Sequence, residues 1–190
     1  TSDGRRRVCA ATTDGWPGAI SRSYAPVQRM VVFGSDPTAL AIAALSAQAG
    51  LETTLVRPKG PEHGPPLLGV AYSRAEPERA LEMIGTDPWT AVAVATHDLE
   101  TDQAALRAAL SSTAGYVGLL GARARLPERK ARLRAAGISD VDIARLHAPI
   151  GLPIGGKAPW EVAVSVVGQV MSLRQAAASR AGDAVQSAAE

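Results

Sequence analysis

Met30-Val31-Val32-Phe33-Gly34-Ser35-Asp36-Pro37 passes from a short apolar run through a glycine to an aspartate and a proline, and an Ala/Leu-rich segment then continues to Gly50. The pattern predicts a strand, a tight turn and a helix. Asp36 has a side chain able to accept from the open amides of a helix start. Pro37 suits the first helical position, because its φ is preset and the N–H it lacks has no partner inside a helix. Ala39, Ala43 and Ala47 recur every four residues and give that helix a slim face able to lie close on a sheet. Thr53-Thr54-Leu55-Val56 supplies a second strand. A strand-helix-strand unit of this kind closes as a right-handed parallel crossover.

The same alternation continues downstream. The Pro- and Gly-rich residues 57–69 predict a loop, and Pro77 opens a short helix to Ile84. Ala91-Val92-Ala93-Val94-Ala95 reads as a strand buried on both faces, with Leu106 and Leu110 four apart in the helix after it. Tyr116 to Leu120 predicts a fourth strand ending at Gly121. Arg123 to Ala136 then predicts a helix stopped by Gly137, and Ser139-Asp140-Val141-Asp142 starts another. A Gly/Pro loop spans His147 to Ala158, and Pro159 opens a long helix with Val162, Val166, Val167 and Val170 on one side. The implied class is α/β, a Rossmann-like doubly wound parallel sheet in a single domain over residues 28–175. An irregular segment 1–27 precedes it, and an Ala-rich tail 176–190 is expected to fray. Ligands of such sheets sit at the carboxyl ends of the strands. That places the chemistry at Gly34 to Asp36, Arg57, Thr96 to Asp98, and Gly121 to Arg123.

Composition narrows the class. A chain of 190 residues with 46% apolar content is one ordinary domain, and a net charge of +2 marks neither a nucleic-acid nor a membrane-surface protein. No stretch approaches the roughly 18 apolar residues of a membrane span. Arg5-Arg6-Arg7 has no apolar run behind it, so neither a secretory leader nor a lipid signal is expected, and the expected location is the cytoplasm. Cys9 is the sole cysteine and cannot form an internal disulfide, and its position gives no reason to expect thiolate chemistry. His63, His97 and His147 lack zinc-ligand spacing. The basic charge is local. Arg123, Arg125, Arg129, Lys130, Arg132 and Arg134 stand against Glu128 in one predicted helix. Most of them read as a solvated face, with Arg123, nearest the strand end, as the ligand contact.

Several of these loops together resemble the carboxyl-terminal Rossmann-like domain of the XdhC/CoxI family. The matching stretches are Val32-Phe33-Gly34 with its helix, Thr96-His97-Asp98 with Asp102, and Tyr116-Val117-Gly118-Leu119-Leu120-Gly121-Ala122-Arg123. The most specific runs from His147-Ala148-Pro149-Ile150-Gly151-Leu152-Pro153 through Ile154-Gly155-Gly156-Lys157 to Ala158-Pro159-Trp160-Glu161. The resemblance implies an accessory chaperone for a molybdenum hydroxylase such as xanthine or carbon monoxide dehydrogenase, one that binds the molybdopterin cofactor and delivers it to the apo-enzyme. It also implies that the family's amino-terminal domain is absent here or supplied by a second chain. Homodimerisation stays open, and no nucleic acid or membrane partner is expected.

Residue by residue, Asp36 stands where a dinucleotide fingerprint needs glycine, and its carboxylate repels a phosphate while capping the helix. Arg57, followed by Lys59, replaces the acidic residue that would take ribose hydroxyls. That disfavours NAD and suits a phosphate, either of molybdopterin or of NADP. Thr96, His97 and Asp98 lie where a hydroxyl, an imidazole and a carboxylate can meet a bound ring. His147, Gly151, Gly155 and Gly156 form a loop that permits close backbone approach. Pro153 stands where the family has Asp, and Ala158 leaves the next helix without a side-chain cap, so its first amides are expected to be open to a ligand. The proposed cofactor-facing set is therefore Gly34, Ser35, Asp36, Arg57, Thr96, His97, Asp98, Gly121, Arg123, His147, Gly151, Gly155 and Gly156, with no metal ligands and no catalytic residue. The alternatives are an NADP-dependent oxidoreductase and a ligand-free interaction domain that retains a degenerate nucleotide site.

Overall fold

The computed structural model describes residues 26–121 and 123–187. Cys9 and almost all of the segment 1–27 lie outside them. The elements are β1 (Arg29–Gly34), α1 (Pro37–Gln48), β2 (Glu52–Val56), β3 (Val70–Ser73), α2 (Pro77–Ile84), β4 (Thr90–Ala95), α3 (Leu99–Leu110), β5 (Tyr116–Leu119), α4 (Leu126–Ala135), α5 (Asp140–Ala144), β6 (Leu146–His147) and α6 (Pro159–Ser187). The six strands form one parallel sheet in the order β3-β2-β1-β4-β5-β6. This is the doubly wound arrangement of a Rossmann-like domain.

Period-two alternation along the strands divides the core. Val31, Phe33, Val56, Val92 and Val94 face one way and pack with Leu106 and Leu110 of α3 and Leu133 of α4. Met30, Val32, Leu55, Ala91 and Ala93 face the other way, against Ala39, Ile42 and Ala43 of α1 and Val166 and Val170 of α6. The small side chains do what their spacing predicts: Ala39 and Ala43 are fully buried beneath α1 and Ala47 half-buried. The α6 stripe of Val166, Val167 and Val170 is buried too.

Four details depart from the sequence reading. The strand β3 lies at the sheet edge between the predicted loop 57–69 and the helix opened by Pro77, and escapes the sequence reading because it is only four residues long and mostly half-exposed, although Val70 and Tyr72 lie against the core. The strand β6 is two residues long, too short to leave a pattern. The helix expected from Arg123 begins instead as one 3₁₀ turn, Arg123–Arg125, before α4. Finally, α6 continues to Ser187, past the expected domain end at 175. No helix among the described residues is long and apolar enough to cross a membrane.

Candidate functional site

The chain leaves β1 for β2 on one side and β4 for β5 on the other, so the carboxyl ends of these two neighbouring strands open a crevice between them. A cavity of about 330 Å³ occupies it, lined by the ends of β1, β2 and β4: Gly34, Ser35, Val56, Arg57, Pro58, Lys59, Gly60, Thr96, His97, Asp98 and Thr101. Gly34, Ser35, Arg57, Thr96, His97 and Asp98 of the expected set are thus brought together. Gly34 is needed at its place, since a Cβ there would overlap the Ala95 carbonyl oxygen and lie 2.6 Å from the Ala39 Cβ.

Asp36 joins the crevice through His97. Its Oδ1 accepts from the Ala39 N–H at 2.8 Å, which caps α1, and its Oδ2 lies 3.0 Å from His97 Nε2. The anion seat at the start of α1 is therefore filled by the chain's own carboxylate. Across the crevice, Asp98 caps α3 through the Glu100 amide (3.3 Å). It also accepts from the Thr101 hydroxyl at 2.6 Å and the Lys59 ammonium at 2.9 Å. These partners, Thr101 first, hold its carboxyl at about 2, and the same contact raises the Lys59 ammonium above its usual range. Lys59, expected beside Arg57 as a phosphate partner, is thus engaged by Asp98. Arg57 differs. It lines the cavity, and its Nε is buried with no hydrogen-bond partner among the described residues.

The other expected residues lie elsewhere. Gly121 and Arg123 line a separate cleft of about 10 Å³ with Leu126, Arg129 and Pro149, and Arg123 is exposed. His147 stacks on Tyr116 with ring centroids 4.7 Å apart and planes 16° from parallel, and burial lowers its pKa. It faces a recess of about 200 Å³ shared with Gln28, Thr90 and Tyr116, residues at the starting ends of the strands, away from the crevice. The Gly151 amide donates to Gln169 Oε1, which also takes the Tyr116 hydroxyl, so this part of the loop is fastened to α6.

Gly155 and Gly156 are exposed. Gly156 has φ of +90°, and a Cβ there would sit 2.6 Å from that of Glu161. Just before α6, Glu161 Oε2 accepts from the Lys157 and Ala158 amides at 2.8 and 2.9 Å, which lowers the pKa of its carboxyl. A glutamate in the first turn thus reaches back to the amide of the cap position, one half of a capping box; the other half, a side-chain acceptor at Ala158 for the helix's own first amides, is missing. Trp160, in the first turn of α6, is exposed.

Arg129 also departs from the sequence reading. Rather than standing in a solvated face, it is buried, and its Nη2 donates to Asp102 Oδ2 at 2.6 Å. Asp102 Oδ1 receives the Thr96 hydroxyl at 2.5 Å. No local pattern marks a partner 27 positions away. Thr101 was legible in principle, standing three residues after the cap Asp98. Among the described residues no three His, Cys, Asp or Glu side chains gather as metal ligands.

The chain is similar to several known proteins. The chain is 30% identical over 153 residues to a protein of Bacillus subtilis named as a probable xanthine dehydrogenase subunit (79% of this chain, 44% of that protein). It is 26% identical over 164 residues to the molybdenum cofactor insertion chaperone PaoD of Escherichia coli (86% and 46%). A solved structure described as a xanthine dehydrogenase of Bacillus halodurans superposes with a TM-score of 0.63 at 27% identity, covering 80% of this chain and 44% of that one. The chain thus spans less than half the length of these relatives. The family model described as the XdhC Rossmann domain matches residues 30–170, and the chain belongs to that family.

Proposed function

We propose that this domain binds the molybdenum cofactor in the crevice between β1 and β4 and serves as an accessory chaperone that presents it to a molybdenum hydroxylase apo-enzyme, doing no chemistry itself. The observation that carries the reading is Arg57: its buried, unpartnered Nε at the end of β2 fits a phosphate ester, which a guanidinium binds through paired donors. An orphaned buried donor is costly, and an anionic ligand removes that cost. Thr96, His97 and Ser35 would meet the polar pterin edge, and the molybdenum centre itself supplies redox chemistry only once it is in its enzyme. The name of the E. coli relative, an insertion chaperone, and that of the B. subtilis relative, part of a xanthine dehydrogenase, support the same reading.

One observation favours a second reading. Arg57 stands where an NADP 2′-phosphate would be recognised, which makes an NADP-dependent oxidoreductase the runner-up. The Asp36 carboxylate in the pyrophosphate seat opposes it.

The test is transfer. The protein is mixed with released molybdenum cofactor and then with apo-hydroxylase, and recovered activity is compared with that given by Arg57→Glu. The proposal expects recovery with the native chain and a loss of about tenfold or more for the variant at an unchanged melting midpoint. Equal recovery with both overturns it.

A further inference from the structure

We infer that the buried Asp102–Arg129 pair is a positioning unit that sets the rim of the crevice. Arg129 rises from α4 and is 9% exposed, and Asp102, in the first turn of α3, is 1% exposed. Their contact joins two strand ends. On one side Arg129 Nη1 donates to the Leu120 carbonyl just beyond β5, at 3.3 Å. On the other, Asp102 holds the Thr96 hydroxyl just beyond β4, and that hydroxyl also lies 3.0 Å from the Asp98 carbonyl oxygen. One chain of polar contacts therefore fixes the loop that carries His97 and Asp98 relative to the next strand. Gly121 is part of this device, because a Cβ there would stand 2.7 Å from Arg129 Nη1. Its role is to admit the guanidinium.

A buried ion pair is a poor way to gain stability. Desolvation offsets the attraction, and apolar residues of similar volume hold two helices together as well or better. What apolar residues cannot do is aim the Thr96 hydroxyl and the backbone beyond it. The functional consequence, cofactor affinity, rests on the proposal above; the aiming of His97 does not.

The test separates the two. The variants are Asp102→Asn, Arg129→Met and the double Asp102→Leu/Arg129→Met. The readouts are the melting midpoint, the imidazole NMR resonances of His97 beside Asp36, and affinity for released molybdenum cofactor. The inference expects the single variants to lower the midpoint and the double variant to recover it. It expects the His97 resonances to stay displaced in the double variant and its affinity to stay about tenfold down, the cost of one misaimed contact. Return of the His97 resonances together with the midpoint overturns it. If the native chain does not bind the cofactor, the proposed function falls and the His97 signal alone decides the inference. Arg129→Lys serves should the double variant fail to fold: charge is kept but the fork is lost, so displaced His97 resonances support the inference and unchanged ones refute it.

Discussion

Replacing Asp36 with glycine should turn a crevice that rejects diphosphates into one that accepts them. Asp36 Oδ1 lies 2.8 Å from the Ala39 amide and Oδ2 lies 3.0 Å from His97 Nε2, so one carboxylate holds both donors that a pyrophosphate would use at the start of α1. A phosphate forced in beside it would stand about 4 Å from the carboxylate, and two unit charges at that distance repel by about 4 kcal/mol at an effective dielectric of about 20. The side chain keeps 16% exposure and the crevice is open, so water and salt reduce the penalty to about 1–2 kcal/mol, or roughly five- to thirtyfold in Kd. Glycine is itself an acceptable helix cap, and the substitution costs the fold only a few tenths of a kcal/mol. Calorimetric titration of ADP into the native protein and into Asp36→Gly reads the difference directly. A gain of about fivefold or more at an unchanged melting midpoint is expected. A folded variant whose ADP affinity stays within about twofold of native would refute the electrostatic reasoning.

Three further outcomes follow from the packing and the buried groups. His147 has its pKa lowered from 6.5 by burial, so below that value the unfolded chain binds more protons than the native one and stability falls as pH drops through the window. Thermal midpoints between about pH 7.5 and about pH 5 should show this slope for the native protein and lose it in His147→Phe, which keeps an aromatic ring against Tyr116. Ala158→Ser supplies the missing cap of α6 beside Glu161 and should add about 1 kcal/mol, seen as a rise of roughly 2–4 °C in the midpoint. Phe33→Ala empties a fully buried position between the sheet and α3 and should cost about 3–5 kcal/mol in urea unfolding.

What the sequence revealed and what it hid follow from the range of the interactions involved. The turn Gly34 to Pro37 was legible because capping is local: Asp36 reaches an amide three residues on, and the proline and alanines beside it restrict the backbone in the same sense. The strands β1, β2, β4 and β5 announced themselves through burial. The half-exposed edge strand β3 carries no such signature, and neither does the two-residue β6. At the site, strand ends predicted the neighbourhood of Gly34, Arg57 and Thr96 to Asp98, since topology alone brings them to one crevice. The pairings inside it were not legible. Lys59 meets Asp98 across 39 positions and Arg129 meets Asp102 across 27, choices set by tertiary packing. The glycine loop that follows His147 suggests a place in the crevice, but β6 pairs this residue with Gly118 and turns its ring toward Tyr116.

The most direct test of the central claim is calorimetric titration of the purified protein with released molybdenum cofactor, NADP and NAD in parallel, repeated with Arg57→Glu. The account predicts selective binding of the molybdenum cofactor that the substitution abolishes while the melting midpoint holds. Selective binding of NADP, or cofactor binding indifferent to Arg57, would contradict it.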